Sequence, residues 1–159
     1  PELSGRENVY LNASVYGLGR EEIDDLYPAI VEYSGLRHFI EQPLKNFSSG
    51  MQARLGFAVA AHLDPDILLM DEIFTVGDAE FQAQCLATLR QMREQGKTLL
   101  FVSHVPKAVS DMCDRACVLD QGHLRFDGPT AEALAFYESL RSEPQPDVPV
   151  PGNPRPRPA

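Results

Sequence analysis

The chain has 159 residues, 43% of them hydrophobic and 23% charged, with 14 Lys and Arg against 23 Asp and Glu for a formal net charge of −9. That is enough ordinary globular sequence to bury one real core, and it excludes a fibrous or wholly disordered protein. The acidic balance argues against a surface built to neutralise nucleic-acid phosphates or anionic lipid, and no run approaches the ~20 apolar residues of a membrane span.

The chain opens at Pro1 rather than Met, directly before a helical pattern, which reads as a fragment or a processed chain. Ser4 with Glu7 three residues on has the form of a capping box, so a helix is expected from Gly5 to the stop at Gly17 and Gly19. A second helix is expected over Arg20–Ser34, where Ile23, Leu26, Tyr27 and Ile30 recur at helical spacing, acidic residues crowd the positive end and Gly35 follows. A short helical turn is expected over Leu36–Glu41, and then an alanine-rich helix from Met51 to Leu63.

The block Asp66-Ile67-Leu68-Leu69-Met70-Asp71 reads as a strand of a parallel sheet buried on both faces, its carboxyl end lining a site. A helix over Ala79–Gln95 follows, presenting Phe81, Leu86, Leu89 and Met92, then a second buried strand over Thr98–Ser103. A short helix Val105–Cys113 and a third strand Arg115–Leu119 complete an alternating α/β plan. Gln121-Gly122 reads as a hairpin turn into His123–Phe126, and Thr130 as the cap of a last helix to about Leu140. From Ser142 onward seven of the thirteen prolines occur with almost nothing to fill a core, so an extended, solvated tail is expected: a linker or end, or a ligand for a proline-binding domain.

Cys85, Cys113 and Cys117 form no CxxC pair and no His completes a ligand set, so their spacing reads as reduced thiols and not as a metal site. Gly96-Lys97-Thr98 resembles the end of a phosphate-binding P-loop. It lacks the glycine five residues before Gly96 and precedes a strand instead of following one, so Gly96 is read as a helix cap with Lys97 exposed beside it.

Four places carry chemistry. Ser48-Ser49-Gly50 at the start of a helix gathers hydroxyls and free N–H groups at the positive end of the helix dipole, a phosphate-binding arrangement as well as an ordinary N-cap. Asp71 and Glu72 at the end of a buried strand can divide the work of holding a metal ion and orienting an attacking water, as phosphoryl hydrolysis requires. His104 follows the next strand, where an imidazole could reach a γ-phosphate oxygen or that water, although a His in such a place is commonly structural. Asp78 falls in the loop after the carboxylates and could equally be an N-cap.

Taken in order, Asn46-Phe47-Ser48-Ser49-Gly50-Met51, Asp64-Pro65 through Asp71-Glu72, Val76-Gly77-Asp78 and Val102-Ser103-His104 resemble the second half of an ABC ATPase domain, from about Pro1 to Leu140. The opening Gly5-Arg6-Glu7-Asn8-Val9-Tyr10-Leu11-Asn12, the FSSGM signature and VGDAEF look like the branch that exports polysaccharide, O-antigen or teichoic acid. Phe47, Ser49 and Met51 depart from the commonest signature, and Ile73 stands where proline is usual; these departures fit that branch.

The resemblance implies a partial P-loop NTPase core with a parallel sheet plus an α-helical subdomain. Residues 1–47 would be the helical subdomain leading into the signature loop and 48–141 the carboxyl-terminal part of the core, with 142–159, on its composition, a disordered tail. It implies ATP and Mg2+ as cofactors, with Ser48, Ser49, Gly50, Met51 and Asp78 on the nucleotide, Asp71 on the metal, and Glu72 and His104 catalytic. It further implies a head-to-tail dimer with a second such subunit, membrane-spanning permease partners, no nucleic acid, and a peripheral place on the cytoplasmic face of the inner membrane. No P-loop is present, so the chain by itself is expected to hydrolyse ATP negligibly. A nucleic-acid- or ribosome-associated ABC ATPase and a non-catalytic fragment are the alternatives.

Overall fold

The computed structural model describes residues 3–71 and 78–142, which fall into two compact units dividing between His104 and Val105. The first unit begins with helix α1 (Gly5–Val15), started by the expected capping box: Ser4 Oγ accepts from Glu7 N–H at 3.2 Å and Glu7 Oε2 accepts from Ser4 N–H at 2.7 Å. Gly17, at φ 91°, ends it by donating to Ser14 while Leu18 donates to Ala13, the paired bonds of a Schellman motif. Helix α2 (Arg20–Ser34) has the expected bounds and continues through Pro28, with Ile23, Ile30, Val31 and Ser34 buried.

The helical turn expected over Leu36–Glu41 is instead a series of turns, and the only helical residues before the next long helix are the 3-10 turn Leu44–Asn46. The reason is that this backbone is engaged elsewhere. Ile40 and Gln42 carbonyls accept from Arg6 and Gly5, and Leu44 donates to Leu3, so the segment runs along the start of α1.

Helix α3 (Ser49–His62) sends Leu55, Ala58 and Val59 into one core with Val9, Ile30, Val31, Leu36, Ile40 and Phe47. Beyond it, strands β1 (Ile67–Asp71) and β2 (Thr98–Val102) pair in parallel from Ile67 opposite Thr98 to Asp71 opposite Val102. Between them α4 (Ala79–Glu94) buries Phe81, Cys85, Leu89 and Met92, so Cys85 and not Leu86 completes its buried stripe.

Burial on both faces of the strands is not what the structure shows. Met70 is 3% exposed, yet Ile67, Leu69, Leu100 and Val102 are each more than half exposed. Alternate residues share a face, so one face is covered and the other presents an apolar ladder with no helix over it among the described residues. Lys97 also differs from expectation. Gly96 ends α4 in a second Schellman pair, and the Lys97 ammonium lies 3.0 Å from Asp64 and 3.6 Å from Asp66 instead of in open solvent.

In the second unit α5 (Pro106–Met112) precedes β3 (Arg115–Asp120), β4 (His123–Pro129) and α6 (Thr130–Ser142). Among the described residues β3 pairs antiparallel with β4 and with no other strand. Gln121 and Gly122 at φ 49° and 80° make a two-residue reverse turn that returns the chain at once onto β3. Arg115 clasps Asp127 through two nitrogens, at 2.9 and 2.8 Å, and holds the carboxyl below its usual range. Thr130 is the first residue of α6 and not its cap; its hydroxyl donates to the Cys113 carbonyl at 2.7 Å. The proline-rich segment 143–159 lies outside the described residues.

Candidate functional site

The first part of the site is the beginning of α3. Ser48 has extended backbone, φ −65° and ψ 162°, and its Oγ accepts from Met51 N–H at 3.2 Å, so this hydroxyl caps the helix. The first-turn N–H groups of Ser49 and Gly50 have no intrahelical acceptor and point out of the positive end of the dipole. Ser48 and Ser49 are exposed. A Cβ on Gly50 would meet only Ser48 Oγ, at 3.7 Å, so packing alone does not call for a glycine there. Met51 differs from its neighbours: its side chain packs against the core of the unit, and its N–H is already bonded to Ser48. Met51 therefore anchors the loop and leaves Ser48, Ser49 and Gly50 to face outward.

The second part is the carboxyl edge of the parallel pair. Asp71 ends β1 opposite Val102, and His104 follows Val102 by two residues, so both lie at the same edge of the sheet and both are exposed. Parallel pairing over five residues in register sets this, and the apolar runs on both strands set the pairing. Among the described residues no group of three His, Cys, Asp or Glu could hold a metal by itself. One exposed carboxylate at a strand end is nonetheless the donor that Mg2+ uses when phosphate oxygens and water complete its shell. Asp71 fits that requirement. Glu72 lies outside the described residues, as do residues 73–77.

Asp78 is the N-cap of α4, its Oδ1 accepting from Phe81 N–H at 2.9 Å. Its other oxygen lies 3.2 Å from a guanidinium nitrogen of Arg54, on α3. Arg54 was not singled out by its sequence position, because an arginine in a helix has no visible partner until the helices are packed. Its guanidinium also lies 4.8 Å from the centroid of the Phe81 ring, and its Nε is buried without a partner among the described residues. Phe81 stands edge-on to Phe57 and Tyr33, and the Tyr33 hydroxyl meets Thr88 at 2.7 Å, so the start of α4 is locked to α2 and α3. Behind this cluster burial pushes the Cys85 thiol up to about 11 and raises the Tyr33 phenol.

The structure thus joins Asp78 to the helix that begins with Ser48 and Ser49, and joins Asp71 to the edge that holds His104. It carries these two groups on different elements.

No family model matches the chain. It is 44% identical over 138 residues, 87% of its length, to the O-antigen export system ATP-binding protein RfbB of Klebsiella pneumoniae, and covers 56% of that protein. It is 42% identical to the ABC transporter protein AbcA of Aeromonas salmonicida, with 88% of the chain and 46% of the relative covered. A third relative is the teichoic acids export ATP-binding protein TagH of Bacillus cereus, 39% identical over 89% of the chain and 26% of the relative. The chain therefore spans about half, or less, of the curated relatives it matches. Among solved structures, an ATP binding subunit of an ABC transporter superposes at a TM-score of 0.75 with 23% identity, covering 89% of this chain and 59% of that one. At that identity the superposition speaks for the α/β fold.

Proposed function

We propose a role for a chain that belongs, over its matched residues, with the ATP-binding proteins of ABC transporters and is homologous to those of O-antigen and teichoic acid export: it is the signature-bearing segment of an exporter ATPase for a polysaccharide or lipid-linked glycan. Ser48, Ser49 and Gly50 hold the γ-phosphate of an ATP whose other phosphates rest on a second subunit, arranged head to tail. Met51 fixes the loop from beneath. At the other ATP of the head-to-tail pair, Asp71 would be the ligand for Mg2+, Glu72 would orient or deprotonate the attacking water and His104 would touch the γ-phosphate, while Asp78 faces the nucleotide across the dimer. The magnesium ion, when bound, neutralises charge on the phosphate oxygens.

The observation that carries this reading is the parallel register that sets Asp71 opposite Val102, and so brings one carboxylate and His104 to a single edge. That edge is where open parallel sheets place their chemistry. In this reading the protein works at the cytoplasmic face of the membrane against permease subunits, and no described helix is long and apolar enough to cross a membrane itself. The chain as it stands lacks a backbone cradle for the α- and β-phosphates and hydrolyses ATP negligibly.

The test compares Mg-ATP binding and turnover by three proteins: the chain alone, the chain joined to the part of the Klebsiella relative that it does not cover, and that joined protein with Glu72→Gln. Turnover in the joined protein only, abolished by Glu72→Gln, supports the reading. Hydrolysis by the chain alone, or turnover indifferent to Glu72→Gln, overturns it.

A further inference from the structure

Arg54 stands four residues beyond Gly50, one helical turn along α3 from the candidate phosphate-binding residues. One of its nitrogens bonds Asp78 at 3.2 Å, and its plane covers Phe81, the residue whose N–H Asp78 caps. The Arg54 side chain is only 27% exposed, and its Nε is buried with no acceptor among the described residues. A buried, unsatisfied donor is costly, and an alkyl side chain could fill the same place against Phe81 without it. Packing alone therefore does not explain an arginine here.

We propose that Arg54 is a positioning residue that makes Ser48–Met51 and Asp78 one rigid body, so that the two nucleotide-facing segments keep a fixed separation as the site opens and closes. This rests on the reading of those residues as nucleotide-binding. Three contacts deliver the rigidity. Arg54 is fixed in α3, whose start is the serine loop; one of its guanidinium nitrogens holds one oxygen of Asp78; and Asp78's other oxygen is bound to the first turn of α4. Phe81, 3% exposed among Phe57 and Tyr33, prevents α4 from rotating away. The arrangement needs a charge at residue 54 and a charge at residue 78, whereas the helix cap needs only an oxygen at 78.

That difference makes the two roles separable. Asp78→Asn keeps an acceptor for Phe81 N–H and removes the ion pair; Arg54→Met keeps the apolar stem over Phe81 and removes the charge; Arg54→Lys keeps charge and stem. In the 159-residue chain, amide hydrogen exchange at Asp78–Gln82 is expected to rise about fivefold or more in Arg54→Met and in Asp78→Asn, no further in the double variant, and little in Arg54→Lys, with α2 unchanged in all four. In the joined protein described above, Arg54→Met is expected to lower kcat about tenfold or more with KM for ATP nearly unchanged, and Arg54→Lys to recover most of it. Unchanged exchange in Arg54→Met, additive effects in the double variant, or a kcat loss that lysine does not recover each overturns the proposal. If the unmodified joined protein has no ATPase activity, the functional reading fails, while the exchange measurements still decide whether Arg54 couples Asp78 to α3.

Discussion

The Lys97 ammonium lies 3.0 Å from Asp64 and 3.6 Å from Asp66, and Thr98 N–H donates to the Asp66 carbonyl at 2.9 Å, so the turn before β1 and the turn before β2 are tied at one point. Bonding to Asp64 first, and the charge of the same pair of carboxylates, raise the ammonium above the ordinary lysine value of 10.5. A raised folded value means that this contribution is complete below 10.5 and is lost as pH climbs through the folded one. Lys97→Met is therefore expected to lower the thermal midpoint at pH 7, and the gap to the parent chain should close at strongly alkaline pH. Melting curves across that range check it.

Ser48 caps α3 through Met51 N–H, and that bond exists whatever the loop binds. Ser48→Ala should cost about 1 kcal/mol in denaturant unfolding, the usual loss of a serine cap. Ser49→Ala, at an exposed position with no side-chain hydrogen bond among the described residues, should cost much less. If the loop holds phosphate, both variants lose ATPase in the joined protein, so stability and activity separate at Ser49.

Two glycines should respond in opposite senses. A Cβ at Gly5 would lie 2.8 Å from the Phe47 ring and 2.9 Å from the Ile40 carbonyl, both held in place at the start of α1, so Gly5→Ala should cost about 1–3 kcal/mol. Gly56 lies inside α3 with open space around a Cβ, so Gly56→Ala should gain up to about 1 kcal/mol from helix propensity. Equal signs for the pair in chemical denaturation would contradict the packing described for α1 and α3.

The uncovered ladder of Ile67, Leu69, Leu100 and Val102 lies on a two-stranded sheet whose outer edges are unpaired among the described residues. Exposed apolar strands associate. The chain is expected to self-associate in sedimentation velocity, and Leu69→Lys with Leu100→Lys to shift it toward monomer without a comparable loss of helical signal.

The buried thiol of Cys85, pushed by desolvation up to about 11, should resist thiol reagents in the folded chain at neutral pH, while exposed Cys117 labels first. Since its folded value lies above the ordinary 9.0, folding stability should decline between those two values as the unfolded chain alone ionises. Cys85→Ala should flatten that decline.

Local chemistry determined what could be read without the fold. The Ser4 and Glu7 capping box, the bounds of α2, the Ser48 cap, the Gln121-Gly122 reversal and the parallel strands ending in Asp71 and leading to His104 all depend on residues within a few positions of one another, or on apolar runs that declare themselves. The order of the motifs likewise disclosed the relationship to ABC export ATP-binding proteins. Tertiary structure decided the rest, because it depends on which backbone or side chain arrives from far along the chain. The carbonyls of Ile40 and Gln42 were drawn to the start of α1, away from a helical turn. Lys97 found Asp64 and Asp66, 33 and 31 positions earlier, and one face of β1 and β2 was left bare where an apolar run had implied cover on both. Arg54 belongs to the same class: it is an ordinary charged residue in the sequence, and only the packing of α3 on α4 pairs it with Asp78.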